Sequence, residues 1–137
     1  MQSFHMESVS AGDCAVLQVA GEIDVYTAPE LRERVIGLID DGARHVIADL
    51  RAVDFLDSSG LGALVGSLRR LRMREGSLKL VTDGGRILQV FRLIGLTHAF
   101  ALHSSVPDAI TADQHWQVAI EGHGGSASEW CQKNGLE

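Results

Sequence analysis

Apolar positions recur along this chain in two periods, and their alternation outlines a mixed α/β domain. Residues 4–9 alternate weakly, as a short edge strand does, and Ala11-Gly12-Asp13 closes them with a turn. Residues 14–20 make a better strand, with Val16, Leu17 and Val19 as its apolar content. So short a link makes the two strands antiparallel neighbours. Residues 21–26 then read as a loop carrying two carboxylates, Glu22 and Asp24. The period next switches to helical: Leu31, Val35, Leu38 and Ile39 share a face, and Asp41-Gly42 ends the run. Thr27 with Glu30 three positions on predicts a capping box, with Pro29 tolerated in the first turn.

The same alternation repeats downstream. Residues 45–50 read as a buried strand, and residues 61–73 as a helix with Leu61, Leu64, Val65, Leu68 and Leu71 in one stripe. Gly76-Ser77 breaks that helix before a strand at 78–81. Asp83-Gly84-Gly85 leads into a third helix, whose core face is Ile87, Val90, Phe91 and Ile94 and whose stop is Gly95. Residues 100–102 suggest a last short strand, and Ser105 caps a helix beginning at Val106-Pro107. A hairpin followed by alternating strands and helices predicts a mixed sheet with helices packed on it. Right-handed crossovers then set the loops that leave the strands along one edge, so the 21–26 and 50–59 loops approach each other. From Thr111 the apolar content thins to Trp116, Val118, Ile120 and Trp130, and 122–128 are small and polar. The expectation is one domain over 1–112 and an extension over 113–137, partly flexible and mobile beyond Glu121.

Composition narrows the function classes. The chain has 137 residues, of which 45% are hydrophobic, as in one ordinary globular domain. Twelve basic against eighteen acidic side chains give a net charge of −6, which argues against non-specific nucleic-acid binding. The arginines at 69, 70, 72 and 74, with Lys79, form a local basic cluster read as a solvated helix face. No apolar run is long enough to span a membrane, and residues 1–5 lack a secretory signal. Cys14 and Cys131 are too few and too far apart for a disulfide scaffold, so the expected compartment is the cytoplasm.

Catalytic and cofactor motifs are scarce. Gly60-x-Gly62-x-x-x-Gly66 lacks the dinucleotide-loop spacing, and no P-loop lysine follows a glycine run. The six histidines show no metal-ligand spacing, and no G-x-S-x-G elbow activates a serine. No cofactor, no metal and no enzymatic activity is therefore expected.

The most informative stretch joins a strand to a helix: Asp54-Phe55-Leu56-Asp57-Ser58-Ser59-Gly60-Leu61-Gly62. Two hydroxyls stand where a helix offers free N–H groups and the positive end of its dipole, favourable surroundings for a phosphate on Ser58. Asp57 or Ser58 equally serves as an ordinary cap, and Gly60 and Gly62 equally serve close packing. Residue chemistry alone does not choose between Ser58 and Ser59.

This stretch closely resembles the phosphorylation-site motif of bacterial anti-anti-sigma factors (anti-sigma factor antagonists), small proteins of the STAS fold. The segment Gly21-Glu22-Ile23-Asp24-Val25-Tyr26-Thr27-Ala28-Pro29-Glu30-Leu31 resembles the family's passage from second strand to first helix, and residues 46–50, 78–81 and 87–95 follow its later order. The similarity covers roughly residues 5–112. It implies a STAS-type mixed sheet, Ser58 as phosphoacceptor, Ser59 in a capping or packing role, and Glu22, Asp24, Asp57, Ser59 and Gly60 at the partner surface. It also implies partner switching. The unphosphorylated protein binds an anti-sigma factor with a histidine-kinase-like ATPase fold, freeing a sigma factor. That partner is a serine kinase that modifies Ser58, and a serine phosphatase resets the switch. A homodimer is compatible with this reading. The rival readings are a STAS scaffold module without a phospho-switch, and a small hydrolase or nucleotide-binding enzyme using Ser58.

Overall fold

The structure is a computed structural model, and it describes residues 3–95 and 98–137. Strand β1 (His5–Ala11) and strand β2 (Cys14–Ile23) pair antiparallel across the Gly12-Asp13 turn, from His5 opposite Ala20 to Ala11 opposite Cys14. Strands β3 (His45–Leu56), β4 (Ser77–Val81) and β5 (Ala101–His103) add in parallel, giving one five-stranded sheet in the order β1-β2-β3-β4-β5. This is the mixed sheet with an N-terminal hairpin that the pattern predicts.

Strands β2 and β3 run further than their apolar runs suggest. Beyond Gln18 the β2–β3 ladder shifts register twice and still continues to Ile23 opposite Leu56. The expected 21–26 loop therefore begins only after Ile23, and Glu22 is a half-buried strand residue. Each shift admits an extra residue on one strand, which breaks the strict alternation that marks a strand in sequence.

Helices α1 (Ala28–Asp40), α2 (Ser58–Met73) and α3 (Gly85–Leu93) all pack on one face of the sheet. Their apolar stripes meet Leu17, Val46, Ala48, Leu50, Leu78 and Leu80 there. The geometry follows from topology. When crossovers of one hand step across a sheet always in the same direction, every crossover helix lands on the same face. The opposite face is left bare by these three units, although Cys14, Val16, Ile47 and Val81 point apolar groups into it.

The C-terminal residues cover that face. Helices α4 (Val106–Thr111), α5 (Gln114–Glu121) and α6 (Ala127–Lys133) build a second core with Cys14, Val16, Ile47 and Val81. Trp116 is 0% exposed and Trp130 3%, their rings packed edge to face with centroids 6.1 Å apart. The stretch beyond Glu121, expected as a flexible tail, carries helix α6, and Cys131 within it is fully buried. The polar stretch before α6 is a turn capped by Ser126, whose Oγ accepts from the Glu129 N–H at 3.3 Å. Arg51 Nη2 donates to the Leu136 carbonyl and Gln18 Nε2 to the Gly135 carbonyl, each at 3.3 Å, fixing the chain end on the sheet.

Candidate functional site

The carboxyl ends of β2 and β3 finish side by side. Ile23 and Leu56 close their ladder, and the Asp57 N–H donates to the Ile23 carbonyl at 3.2 Å. The two segments expected to approach each other do so through this bond, and Asp24 and Asp57 leave neighbouring strands at one level.

Asp57 is the N-cap of α2. Its Oδ1 accepts from the N–H groups of Ser59 at 2.9 Å and Gly60 at 3.1 Å, the arrangement that gives aspartate its preference for this position. The helix starts three residues earlier than its leucine stripe suggests, so Ser58 and Ser59 belong to its first turn. Ser58 is exposed, and among the described residues its hydroxyl has no hydrogen-bond partner. Ser59 is half-buried. The two hydroxyls that sequence chemistry leaves equivalent are therefore distinct in access.

Gly60 sets how closely the helix approaches the strands. A Cβ there would lie 2.5 Å from Leu56 Cδ1, 2.7 Å from Ile23 Cγ2 and 2.9 Å from the Ile23 carbonyl oxygen. Only a residue without a side chain lets the serine-bearing turn rest on the strand ends.

Asp24 is committed to the chain around it. Its Oδ1 accepts from the N–H groups of Tyr26 at 2.9 Å and Thr27 at 3.0 Å. The Thr27 hydroxyl donates to the Glu22 carbonyl at 2.7 Å and accepts from the Asp24 N–H at 2.9 Å. The expected Thr27–Glu30 capping box does not form, because the hydroxyl it needs is turned back toward the strand. Asp24 consequently shapes the loop that displays Val25 and Tyr26.

Those two residues, with Phe55, are what the sequence reading missed. Val25 is 60% exposed, Tyr26 84% and Phe55 43%, large apolar groups on the same rim as Ser58. The available signal is placement. Val25-Tyr26 sits between a strand end and a helix cap, where the core is out of reach. The arginines at 69, 70, 72 and 74 are exposed on α2 as expected. Lys79 does not join them, since its ammonium pairs with Asp113 at 3.7 Å on the other face.

Chemically, this rim offers an accessible hydroxyl, two structural carboxylates and three exposed apolar side chains. The family model described as the STAS domain matches residues 5–109. The chain belongs to the STAS-domain family. Within it, the chain is 42% identical over 80 residues to the anti-sigma-B factor antagonist of Bacillus subtilis, covering 58% of this chain and 72% of that protein. The crystal structure of an anti-sigma factor antagonist from Mycobacterium paratuberculosis superimposes with a TM-score of 0.73 at 32% identity, covering 80% of this chain and 93% of that one. SpoIIAA, an anti-sigma factor antagonist solved in its unphosphorylated form, shares the fold, with a TM-score of 0.61 at 18% identity over 78% of this chain and 93% of its own. This STAS domain is thereby a member of the anti-sigma factor antagonists, a family of regulatory binding proteins rather than enzymes. No helix among the described residues is long and apolar enough to cross a membrane.

Proposed function

We propose that this STAS domain is a cytoplasmic anti-sigma factor antagonist that works by partner switching, with Ser58 as the switched residue. The observation that carries the reading is the exposed Ser58 hydroxyl, without a hydrogen-bond partner among the described residues, at the end of the sheet where Val25, Tyr26 and Phe55 are also exposed. Unphosphorylated, the rim binds an anti-sigma factor of histidine-kinase-like ATPase fold, and a sigma factor is released. Glu22, Asp57, Ser59 and Gly60 contribute by holding the rim in shape or meeting a basic group on the partner, and Asp24 holds the Val25-Tyr26 loop.

The same partner transfers the γ-phosphoryl group of ATP to Ser58 Oγ, the serine proton is lost and ADP departs. The product carries about −1.5 to −2 charges at neutral pH. The expectation that the helix N-terminus would welcome this group changes once the cap is known, because the Asp57 carboxylate already takes the N–H groups of Ser59 and Gly60. The phosphate meets a like charge beside it and stays on the surface, facing the partner. Repulsion and desolvation of about 2.8 kcal/mol weaken the complex roughly a hundredfold. A serine phosphatase restores the hydroxyl.

Calorimetric titration of the anti-sigma kinases of the same genome with wild type, Ser58→Ala and Ser58→Glu tests the switch, with mass mapping after incubation with ATP. Wild type and the alanine variant should bind alike, the glutamate variant roughly a hundredfold more weakly, and one phosphate should map to Ser58. Equal binding of all three would remove the switch. Phosphate on Ser59 instead would move it.

A further inference from the structure

The end of the domain away from Ser58 gathers donors from distant parts of the chain. Asp13 stands in the β1–β2 turn, Cys14 opens β2, and His115 lies in the first turn of α5. His115 Nε2 is 2.8 Å from Asp13 Oδ1, Cys14 Sγ is 3.6 Å from the same oxygen, and the three ligand atoms all fall within 4.8 Å of one another. Ligands around a tetrahedral ion with bonds of about 2.0–2.3 Å stand roughly 3.3–3.6 Å apart, so small side-chain shifts would accommodate one.

The framework around these donors is fixed. The Asp13 carbonyl accepts from the N–H groups of Arg44 at 2.8 Å and His45 at 3.1 Å. Asp113 Oδ1 caps α5 through the His115 N–H at 2.9 Å, while its other oxygen holds Lys79. The His45 ring lies against that of His115, tilted by 40° with centroids 4.0 Å apart, and its Nδ1 is engaged by Ser77 Oγ at 2.9 Å.

We propose that Asp13, Cys14 and His115 bind a single divalent transition metal ion, for which zinc is the fitting chemistry, and that the ion clamps α5 onto the β1–β2 turn. One sulfur, one imidazole nitrogen and one carboxylate oxygen are a borderline-soft set that suits zinc and excludes magnesium and calcium. Three protein ligands leave a fourth position for water. Asp13 and His115 are partly exposed, which gives the ion a route in, whereas Cys14 closes the site from beneath. The ion takes the place of the Cys14 thiol proton and of the hydrogen on His115 Nε2, which moves to Nδ1 of the neutral ring, so one net proton leaves for each ion bound. The sequence hides this constellation because 102 residues separate Asp13 from His115.

Cobalt(II) is the probe, titrated into the full chain under reducing conditions. One ion per chain should bind, with the intense visible bands of a tetrahedral site and a near-ultraviolet thiolate-to-cobalt band, and zinc should bleach both. The Cys14→Ser variant should lose the thiolate band. His115→Ala changes an exposed side chain and leaves the core intact, and it should bind at least tenfold more weakly. Zinc should raise the melting temperature of wild type and leave that of His115→Ala unmoved. Absence of the thiolate band at saturating cobalt in folded protein would overturn the site. So would binding that neither substitution changes.

Discussion

The carboxyl rim of the sheet and the face beneath α4–α6 solve opposite problems. At the rim, Asp24 and Asp57 each turn Oδ1 to local N–H groups, and Val25, Tyr26, Phe55 and Ser58 are exposed. On the covered face the same sheet presents Cys14, Val16, Ile47 and Val81, and the chain supplies the cover itself through Trp116, Ile120, Trp130 and Leu136. One surface is finished within the molecule, and the other leaves its apolar groups open to solvent. Stability should therefore be concentrated beneath the C-terminal helices and recognition at the rim, with little exchange between them.

Trp116→Ala breaks this comparison hardest. Trp116 is fully buried between α4, α6 and the sheet, and truncating so large a side chain costs about 3–5 kcal/mol. Urea denaturation should show that loss, while the affinity of the folded fraction for the proposed anti-sigma partner stays at the wild-type value. A matching loss of affinity would mean that the two regions are coupled.

Gly60→Ala joins the two properties instead. The added methyl has no room against Leu56, Ile23 and the Ile23 carbonyl, and overpacking of this kind costs about 1–3 kcal/mol. Because α2 must shift to relieve it, the serine turn moves as well. Stability and partner affinity should fall together, in contrast with Trp116→Ala. An unchanged affinity would show that the position of α2 is unimportant for recognition.

How much of this was legible in sequence follows the same division. The sheet class, three crossover helices and the Asp57–Ser58 turn could be read because periodicity and caps are local. The C-terminal cover was misread because 122–128 are polar and small, while the information that they lead to a core helix lies in the strands. Cys14-Ala15-Val16-Leu17 is apolar at every position, the mark of a strand buried on both faces. A monotonic strand order puts all three crossover helices on one of those faces. The other needed a cover, and only the extension remained to supply it. The bulged ends of β2 and β3 were unreadable for a different reason, since a register shift moves side chains between faces.

Tyr26→Ala sharpens the rim's half of the comparison. With 84% of the residue exposed, its removal should change folding stability by no more than about 0.5 kcal/mol. If these exposed apolar groups make the contact, partner affinity should drop by at least about 1 kcal/mol, measured by calorimetry beside Phe55→Ala. A stability loss without an affinity loss would assign Tyr26 to the fold and shrink the proposed surface.

The smallest effect is a pH signature on the covered side. Burial, and then the Lys79 ammonium, hold the His103 imidazole below its ordinary value of 6.5, against the opposite pull of Asp108 and Asp113. Its Nε2 is enclosed without a hydrogen-bond partner among the described residues. A histidine that resists protonation when folded takes up its proton more readily once unfolded. The unfolded chain then binds more protons as acidity rises, so this stabilisation is complete above about pH 6.5 and is lost as pH falls through that value toward the folded one. His45 shifts in the same direction, chiefly through burial and then through its neighbour His115. It is present in both proteins of the test and cancels from their difference. Melting temperatures of wild type and His103→Gln, taken from about pH 7.5 down to about pH 5, should differ by an amount that changes below about pH 6.5 in favour of the variant, because glutamine has no proton to gain. Parallel curves would mean that protonating His103 costs the folded chain nothing, and that the C-terminal cover seals its side of the sheet against water less completely than the enclosed Nε2 implies.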